Sequence, residues 1–186
     1  EETCLVFNTA AAYYQRNGLG REIDRQEVLD ILKKSEEAGL VLQPTNAKEI
    51  INICCCCGDC CGVLRNLKDY PKPASLTSTS FVAVINTETC ESCVVCEDRC
   101  QMEAVQIVDE KTVVDIDRCI GCGLCVSTCP TNSMTLARKP ESDQPDVPRD
   151  IIKTSIELGR ARGKLNLGNL LMMQMKSKVD RLLASK

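Results

Sequence analysis

The chain has 186 residues, room for one ordinary domain or two small ones, with a formal net charge of −3, 15 cysteines and no histidine. The missing histidine removes His-ligated zinc, Rieske-type clusters, His-ligated haem and every histidine-based acid–base mechanism. No apolar run approaches the roughly 20 residues needed to span a bilayer, and aromatics at 3% leave Val, Ile and Leu to build the core.

So many cysteines would suit a secreted disulfide scaffold. Against that reading, their number is odd, and four of them run consecutively from Cys54 to Cys57, where disulfide geometry disfavours mutual pairing. No basic start and apolar segment precede the body either. The expectation is thiolate–metal binding in a reducing cytoplasm.

In chain order, residues 1–73 read as a small helical region with a cysteine-rich knot. Leu5, Val6, Ala10, Ala11 and Tyr14 are expected on one apolar helix face, stopped by Asn17-Gly18. Asp24 followed by Glu27 has the form of a capping box, with Val28, Ile31 and Leu32 continuing at helical spacing and Gly39 ending the helix. Val41 to Pro44 is expected to be extended. Gly62 to Tyr70 should form a short helix that Pro71 and Pro73 cannot continue. Residues 74–80 are a mostly polar linker.

Residues 81–139 repeat with a period of 29, because Cys90-x-x-Cys93-x-x-Cys96-x-x-x-Cys100 maps onto Cys119-x-x-Cys122-x-x-Cys125-x-x-x-Cys129-Pro130. Strand-prone Phe81 to Ile85 and Val113 to Ile116 lead into the two runs. After each run comes a short helical turn and a second strand, Val105 to Val108 and Met134 to Leu136, and Asp109-Glu110-Lys111 suggests a hairpin joining the halves. The fold class expected is α+β, two units related by a pseudo-twofold.

Residues 140–148 form a linker with too few apolar groups to fold. Residues 149–186 are a basic extension, nine basic residues against three acidic ones. Leu167, Leu171, Met175, Val179 and Leu182 make a helical apolar stripe, while Gly159, Gly163 and Gly168 argue against one unbroken helix.

The two cysteine runs carry the chemistry. Soft thiolates suit iron–sulfur units. Three cysteines on one tight loop can hold three irons of a cubane, and the fourth lies too far along to close the same cube and reaches the other. Gly121 and Gly123 let the second loop curl and offer N–H groups to cluster sulfides. The first run lacks these glycines and has Gln101 where the second has Pro130. Structural zinc on two C-x-x-C pairs is the alternative.

On these residues, 81–139 resembles a bacterial-type dicluster ferredoxin with two [4Fe-4S] clusters. The resemblance implies the dicluster ferredoxin fold and single-electron transfer without substrate chemistry in this part. It also implies that Cys90, Cys93, Cys96 and Cys129 hold one cluster and Cys119, Cys122, Cys125 and Cys100 the other.

Upstream, Cys54, Cys57 and Cys60 reproduce the C-x-x-C-x-x-C spacing, with Cys4 or Cys61 as a fourth ligand for a third iron–sulfur cluster. This segment and the opening Glu2-Thr3-Cys4-Leu5-Val6-Phe7 resemble larger multi-cluster ferredoxin proteins of anaerobic bacteria, in which a further cysteine-bearing region precedes. The chain is therefore expected to lack an N-terminal part. The alternatives for the knot are a redox or persulfide site, structural zinc, or loose thiols. Cys60-Cys61-Gly62 resembles part of the Cys-Cys-Gly domains of heterodisulfide reductases, although acidic Asp59 works against a low thiol pKa.

The C-terminal stripe fits packing on its own core, docking to a partner protein through 149–186, or peripheral membrane contact. Without aromatics the segment does not suit nucleic acid. The functional expectation is a non-catalytic ferredoxin-like subunit relaying single electrons within a larger cytoplasmic redox complex. The alternative is an oxidoreductase using the Cys54–Cys61 knot for disulfide or sulfur chemistry, with the ferredoxin part as its electron supply. A regulatory or structural metal protein is the third possibility.

Overall fold

The computed structural model describes residues 3–184, apart from the side chains of Leu167, Asn169, Leu170 and Ala184; Glu2 of the opening motif and Leu167 of the stripe thus lie outside the described side chains. The chain mixes helix and strand, and divides into two compact units. The first holds residues up to Thr45 with Ile50–Val147, the second Asn46–Glu49 with Pro148 onward.

In the first unit, three strands form an antiparallel sheet: β1 (Thr3–Val6), β2 (Val41–Pro44) and β3 (Asn52–Cys56), with β3 in the centre. This corrects two expectations. Residues 1–73 are not merely helical, and Leu5 and Val6 belong to a strand. Leu5 is buried, opposite Ile53 of β3. An apolar pair at helical spacing from its successors cannot reveal a strand whose partner lies about 50 residues away; the long-range backbone pairing wins.

Helix α1 (Asn8–Arg16) keeps Ala10, Ala11 and Tyr14 and stops at Asn17-Gly18 as expected. Helix α2 (Arg25–Glu37) is capped by Asp24, whose Oδ1 accepts the Glu27 N–H at 2.8 Å. The Glu27 carboxylate pairs with Arg21. Helix α3 (Gly62–Asp69) buries Leu64 completely.

Beyond a 3-10 turn at Pro73–Leu76, two antiparallel strand pairs follow. β4 (Phe81–Ile85) pairs with β7 (Met134–Arg138), and β5 (Val105–Val108) with β6 (Lys111–Val114). Asp109 and Glu110, both at positive φ (49° and 62°), make the two-residue turn of the predicted hairpin. β6 ends earlier than expected: the Asp115 carbonyl turns inward to accept the N–H groups of Arg118 and Cys119. Short helices α4 (Val95–Asp98) and α5 (Leu124–Ser127) stand between the strands.

One core joins these parts. Val41 and Leu64 share it with Met102, Val105, Leu124 and Met134, and with the thiols of Cys96, Cys119 and Cys125. Burial of each large apolar side chain contributes about 1.5–3 kcal/mol. Arg118 strengthens the join by donating from Nε to Met102 O (2.9 Å) and from Nη2 to Lys68 O at the end of α3 (3.0 Å).

In the second unit, Lys48 and Glu49 donate N–H bonds to Pro148 O and Arg149 O, each at 2.9 Å. Asp150 caps α6 (Ile151–Ala161), and the buried Thr154 hydroxyl reaches Asn46 O at 2.9 Å. Gly163 separates α6 from α7 (Leu167–Ala184), as the glycines predicted. Leu171, Met175, Val179 and Leu182 of the stripe are exposed. No helix among the described residues is long and apolar enough to cross a membrane.

Candidate metal centres

The two cysteine runs are held by loops of matching backbone conformation. Left-handed residues fall at Ser92, Val94 and Glu103 in the first and, 29 residues later, at Gly121, Gly123 and Asn132 in the second. Sequence alone pointed to glycine as the residue that permits the curl. The first loop achieves it with serine and valine, for which that conformation costs roughly 1–2 kcal/mol per residue. At Gly121 a second constraint acts, because a Cβ there would collide with Phe81 O and Thr79 Oγ1.

The fold gathers cysteines that are distant in sequence. A single cavity is lined by Cys119, Cys122 and Cys125 and by Cys100 of the first run, with Ala83, Met102 and Leu124 closing its apolar wall. Burial pushes the Cys125 thiol up to about 12, and the neighbouring charges of Cys122, Cys119 and Cys100 push the same way. Around Cys96, burial again raises the thiol. Its own N–H opposes this, and the charges of Cys90, Cys93 and Cys129 add to the rise. Cys96 therefore senses two neighbours of its own run and the fourth cysteine of the other, and Cys125 senses two of its own run with both Cys100 and Cys96 of the first.

Backbone donors converge on these sulfurs. Ala83 N–H points at Cys119 Sγ (3.4 Å), Ala104 N–H at Cys100 Sγ (3.2 Å) and Ser92 N–H at Cys90 Sγ (3.4 Å). At Cys129 burial works upward, but the Thr131 hydroxyl and the N–H groups of Met134, Ser133 and Thr131 outweigh it and hold the thiol below its ordinary value. Such donors stabilise charge on thiolate ligands. The sulfurs stand around a cavity and do not meet at a point: among the described residues no three cysteine or acidic side chains converge to chelate a single ion. An all-sulfur donor set, apolar walls and N–H groups aimed at sulfur fit an iron–sulfur cluster.

The Cys54–Cys61 knot is built differently. Cys54, Cys55 and Cys56 lie in the central strand β3, so their side chains alternate between faces. Cys55 is fully buried, while Cys54 faces Cys4 of β1, their Sγ atoms 3.8 Å apart. Asn52 Nδ2 donates to Cys54 Sγ at 3.2 Å. Cys57 and Cys60 follow on a turn closed by Cys61 N–H to Cys57 O. Cys61 precedes α3; burial would raise its thiol, but the N–H groups of Leu64 and Val63, the Gln43 amide and Cys56 together bring it below its ordinary value. The predicted C-x-x-C-x-x-C set is thus divided between a strand and a turn, unlike the later runs.

Two residues that sequence reasoning did not assign tie the first run to the upstream part of the chain, Gln101 to the knot and Arg99 to the end of α2. Gln101, at the position where the second run has proline, accepts the Gly58 N–H at its Oε1 (2.8 Å) and donates from Nε2 to Gly39 O (3.1 Å). Arg99 Nη2 donates to Glu36 O (2.7 Å) and to Glu37 O at the end of α2. The departure from proline was visible in the sequence, but its partners, 43 and 62 residues away, were not.

Residues 112–135, which include Cys119, Cys122, Cys125 and Cys129, match the 4Fe-4S binding domain family. Over 67 residues the chain is 36% identical to one subunit of the ferredoxin:CoB-CoM heterodisulfide reductase of Methanosarcina mazei. Over the same length it is 33% identical to the corresponding polypeptide of the ferredoxin/F(420)H(2)-dependent CoB-CoM heterodisulfide reductase of Methanosarcina acetivorans. The aligned part is 36% of this chain and 8% of either relative. The chain therefore carries an iron–sulfur domain of the ferredoxin type, with the electron-transfer chemistry that a 4Fe-4S cluster provides.

Proposed function

We propose that this chain is an electron-transfer subunit with two [4Fe-4S] clusters bound by crossed ligand sets in a dicluster ferredoxin fold. Cys119, Cys122, Cys125 and Cys100 hold one cluster, and Cys90, Cys93, Cys96 and Cys129 the other. The observation that carries this reading is the cavity that places Cys100 among the three cysteines of the second run. The recurrence of left-handed positions at a spacing of 29 supports a pseudo-twofold arrangement of the two loops.

A bound cluster supplies a one-electron couple. The protein's part is to hold, tune and insulate. Thiolates anchor the iron, the N–H groups of Ala83, Ala104 and Ser92 favour negative charge at sulfur, and Met102 and Leu124 keep water out. A third iron–sulfur site draws on Cys54, Cys57 and Cys60 with Cys4 or Cys61. The exposed stripe on α7 is the docking segment for a redox partner, and the chain acts within a larger cytoplasmic complex.

The lowered Cys61 thiol favours a second reading, in which the knot performs disulfide or sulfur chemistry with electrons from the ferredoxin part. The relatives' names, both of heterodisulfide reductases, point the same way.

Iron and acid-labile sulfide measured after anaerobic preparation test the proposal. About eight irons per chain are expected from the two runs alone and about twelve with the third site. Stoichiometric zinc in place of iron would overturn the electron-transfer reading.

A further inference from the structure

The strand register singles out one pair of thiols in the knot. Cys4 and Cys54 are directly opposed in β1 and β3. Phe7 N–H donates to Ile51 O at 2.8 Å, which sets the hydrogen-bonding phase of this strand pair. By alternation Leu5 and Ile53 bond next, and Cys4 and Cys54 fall at a non-hydrogen-bonded position. The other edge of β3 agrees: Thr45 N–H donates to Asn52 O at 3.0 Å, so the backbone groups of Asn52 and Cys54 turn toward β2.

At a non-hydrogen-bonded position the facing Cα atoms stand roughly 4.5 Å apart and side chains approach most closely. Disulfides bridge Cα separations of roughly 4.4–6.8 Å. The pair therefore lies within the permitted range, at its narrow end. The Sγ atoms, 3.8 Å apart, need only side-chain rotation to bond. Cys4 is exposed, and it is the single cysteine before Cys54 in the chain. Cys55 points to the opposite face of the sheet and is fully buried, so it does not compete.

We propose that Cys4 and Cys54 are a reversible redox site, a cross-strand dithiol that closes by exchange with a low-molecular-weight disulfide. Cys4 loses its proton and, as thiolate, attacks one sulfur of the external disulfide and expels the other half as a thiolate, which takes up a proton. Cys54 then loses its proton and attacks Cys4 Sγ, expelling the second external thiolate, which takes up a proton in turn. Two protein thiols and one external disulfide become one protein disulfide and two external thiols, and an excess of external dithiol reverses the exchange. Closure removes Cys4 and Cys54 from the ligands open to a third cluster, so the bond and a cluster held through these sulfurs exclude each other. The proposal does not depend on clusters at residues 90–129.

The test uses the full chain prepared anaerobically, exposed to excess oxidised glutathione, blocked with N-ethylmaleimide and digested with trypsin, with iron measured on the same sample. The expected result is a cross-link between peptides 1–16 and 49–65 that disappears with dithiothreitol. It should persist in Cys56→Ser, vanish in Cys54→Ser, and leave Cys4 there as its glutathione adduct. Recovery of Cys4 as the maleimide adduct, without a cross-link, overturns the proposal. So does a cross-link that survives in Cys54→Ser, or full protection of both thiols with about twelve irons retained. Iron retention near eight with no cross-link sinks this inference and leaves the two-cluster reading standing; loss of iron with a cross-link does the opposite.

Discussion

The loop Cys90–Cys100 and the loop Cys119–Cys129 reach the same backbone conformation by different means. The second relies on local permissiveness: Gly121 and Gly123 take positive φ freely, and Gly121 lets Phe81 O approach where no side chain fits. The first forces Ser92 and Val94 into the same region and offsets the cost with ties to other elements. Ser92 Oγ donates to Glu110 O at 2.8 Å, while Arg99 and Gln101 bind the end of α2 and the Cys57–Cys60 turn. One cysteine loop is thus held mainly by its own sequence, and the other is an attachment point for the upstream sheet.

Loss of a cysteine from either run should have the largest effect. Cys122→Ala should remove the cluster proposed at the second run, so that iron per chain falls by about four, and should destabilise both runs because Cys100 crosses between them. Retention of both clusters by paramagnetic resonance in the reduced variant would show the crossed assignment to be wrong.

The metal-free chain offers the next largest effect. The Cys125 thiol, raised from an ordinary value of 9.0 to about 12, contributes stability that is present below pH 9 and lost as pH climbs toward 12. The apo form should therefore melt at progressively lower temperature as pH rises over that window. The cluster-loaded form should not show this loss, because its thiolates are already bound. Loading must release protons, so iron uptake should weaken on acidification.

Glycine swaps sharpen the contrast between loops. Gly121→Ala should cost about 2–4 kcal/mol, combining left-handed strain with the collision at Phe81 O. Val94→Gly should stay within about 1 kcal/mol of the parent, since relief of strain offsets added freedom in the unfolded chain. Equal losses in denaturant titration would mean that the loops are supported in the same way. Gln101→Pro, which restores the pattern of the second run, should cost about 1–3 kcal/mol through two lost hydrogen bonds. Its signature is faster amide exchange at Gly58 with unchanged iron content. An unaltered Gly58 exchange rate would remove Gln101 from its bridging role.

Much of the second half of the first unit was legible in the residues. The hairpin at Asp109–Glu110 and the flanking strands follow from short-range signals in turn chemistry and alternation, whereas the helical turns expected after Cys100 and Cys129 lie inside the runs instead, as α4 and α5. The stop at Asn17-Gly18 and the Asp24 cap were equally local. Leu5 and Val6 were misjudged because their partner strand is remote. A run of cysteines carries no periodicity, so the strand character of Cys54–Cys56 emerges only from pairing on both sides.

The cysteine spacing pointed to iron held through sulfur, because three thiolates on one tight loop with a fourth just beyond suit an iron–sulfur cluster, and the 4Fe-4S family match over residues 112–135 agrees. The sequence also determined where the loops must curl, because glycine marks the curl in one of them. Only the tertiary structure decided which cysteines share a cavity, why glutamine replaces proline after Cys100, and that Cys4 faces Cys54. Those outcomes rest on backbone pairing and hydrogen bonds between residues far apart in the chain. Such contacts leave no periodic mark on a single sequence.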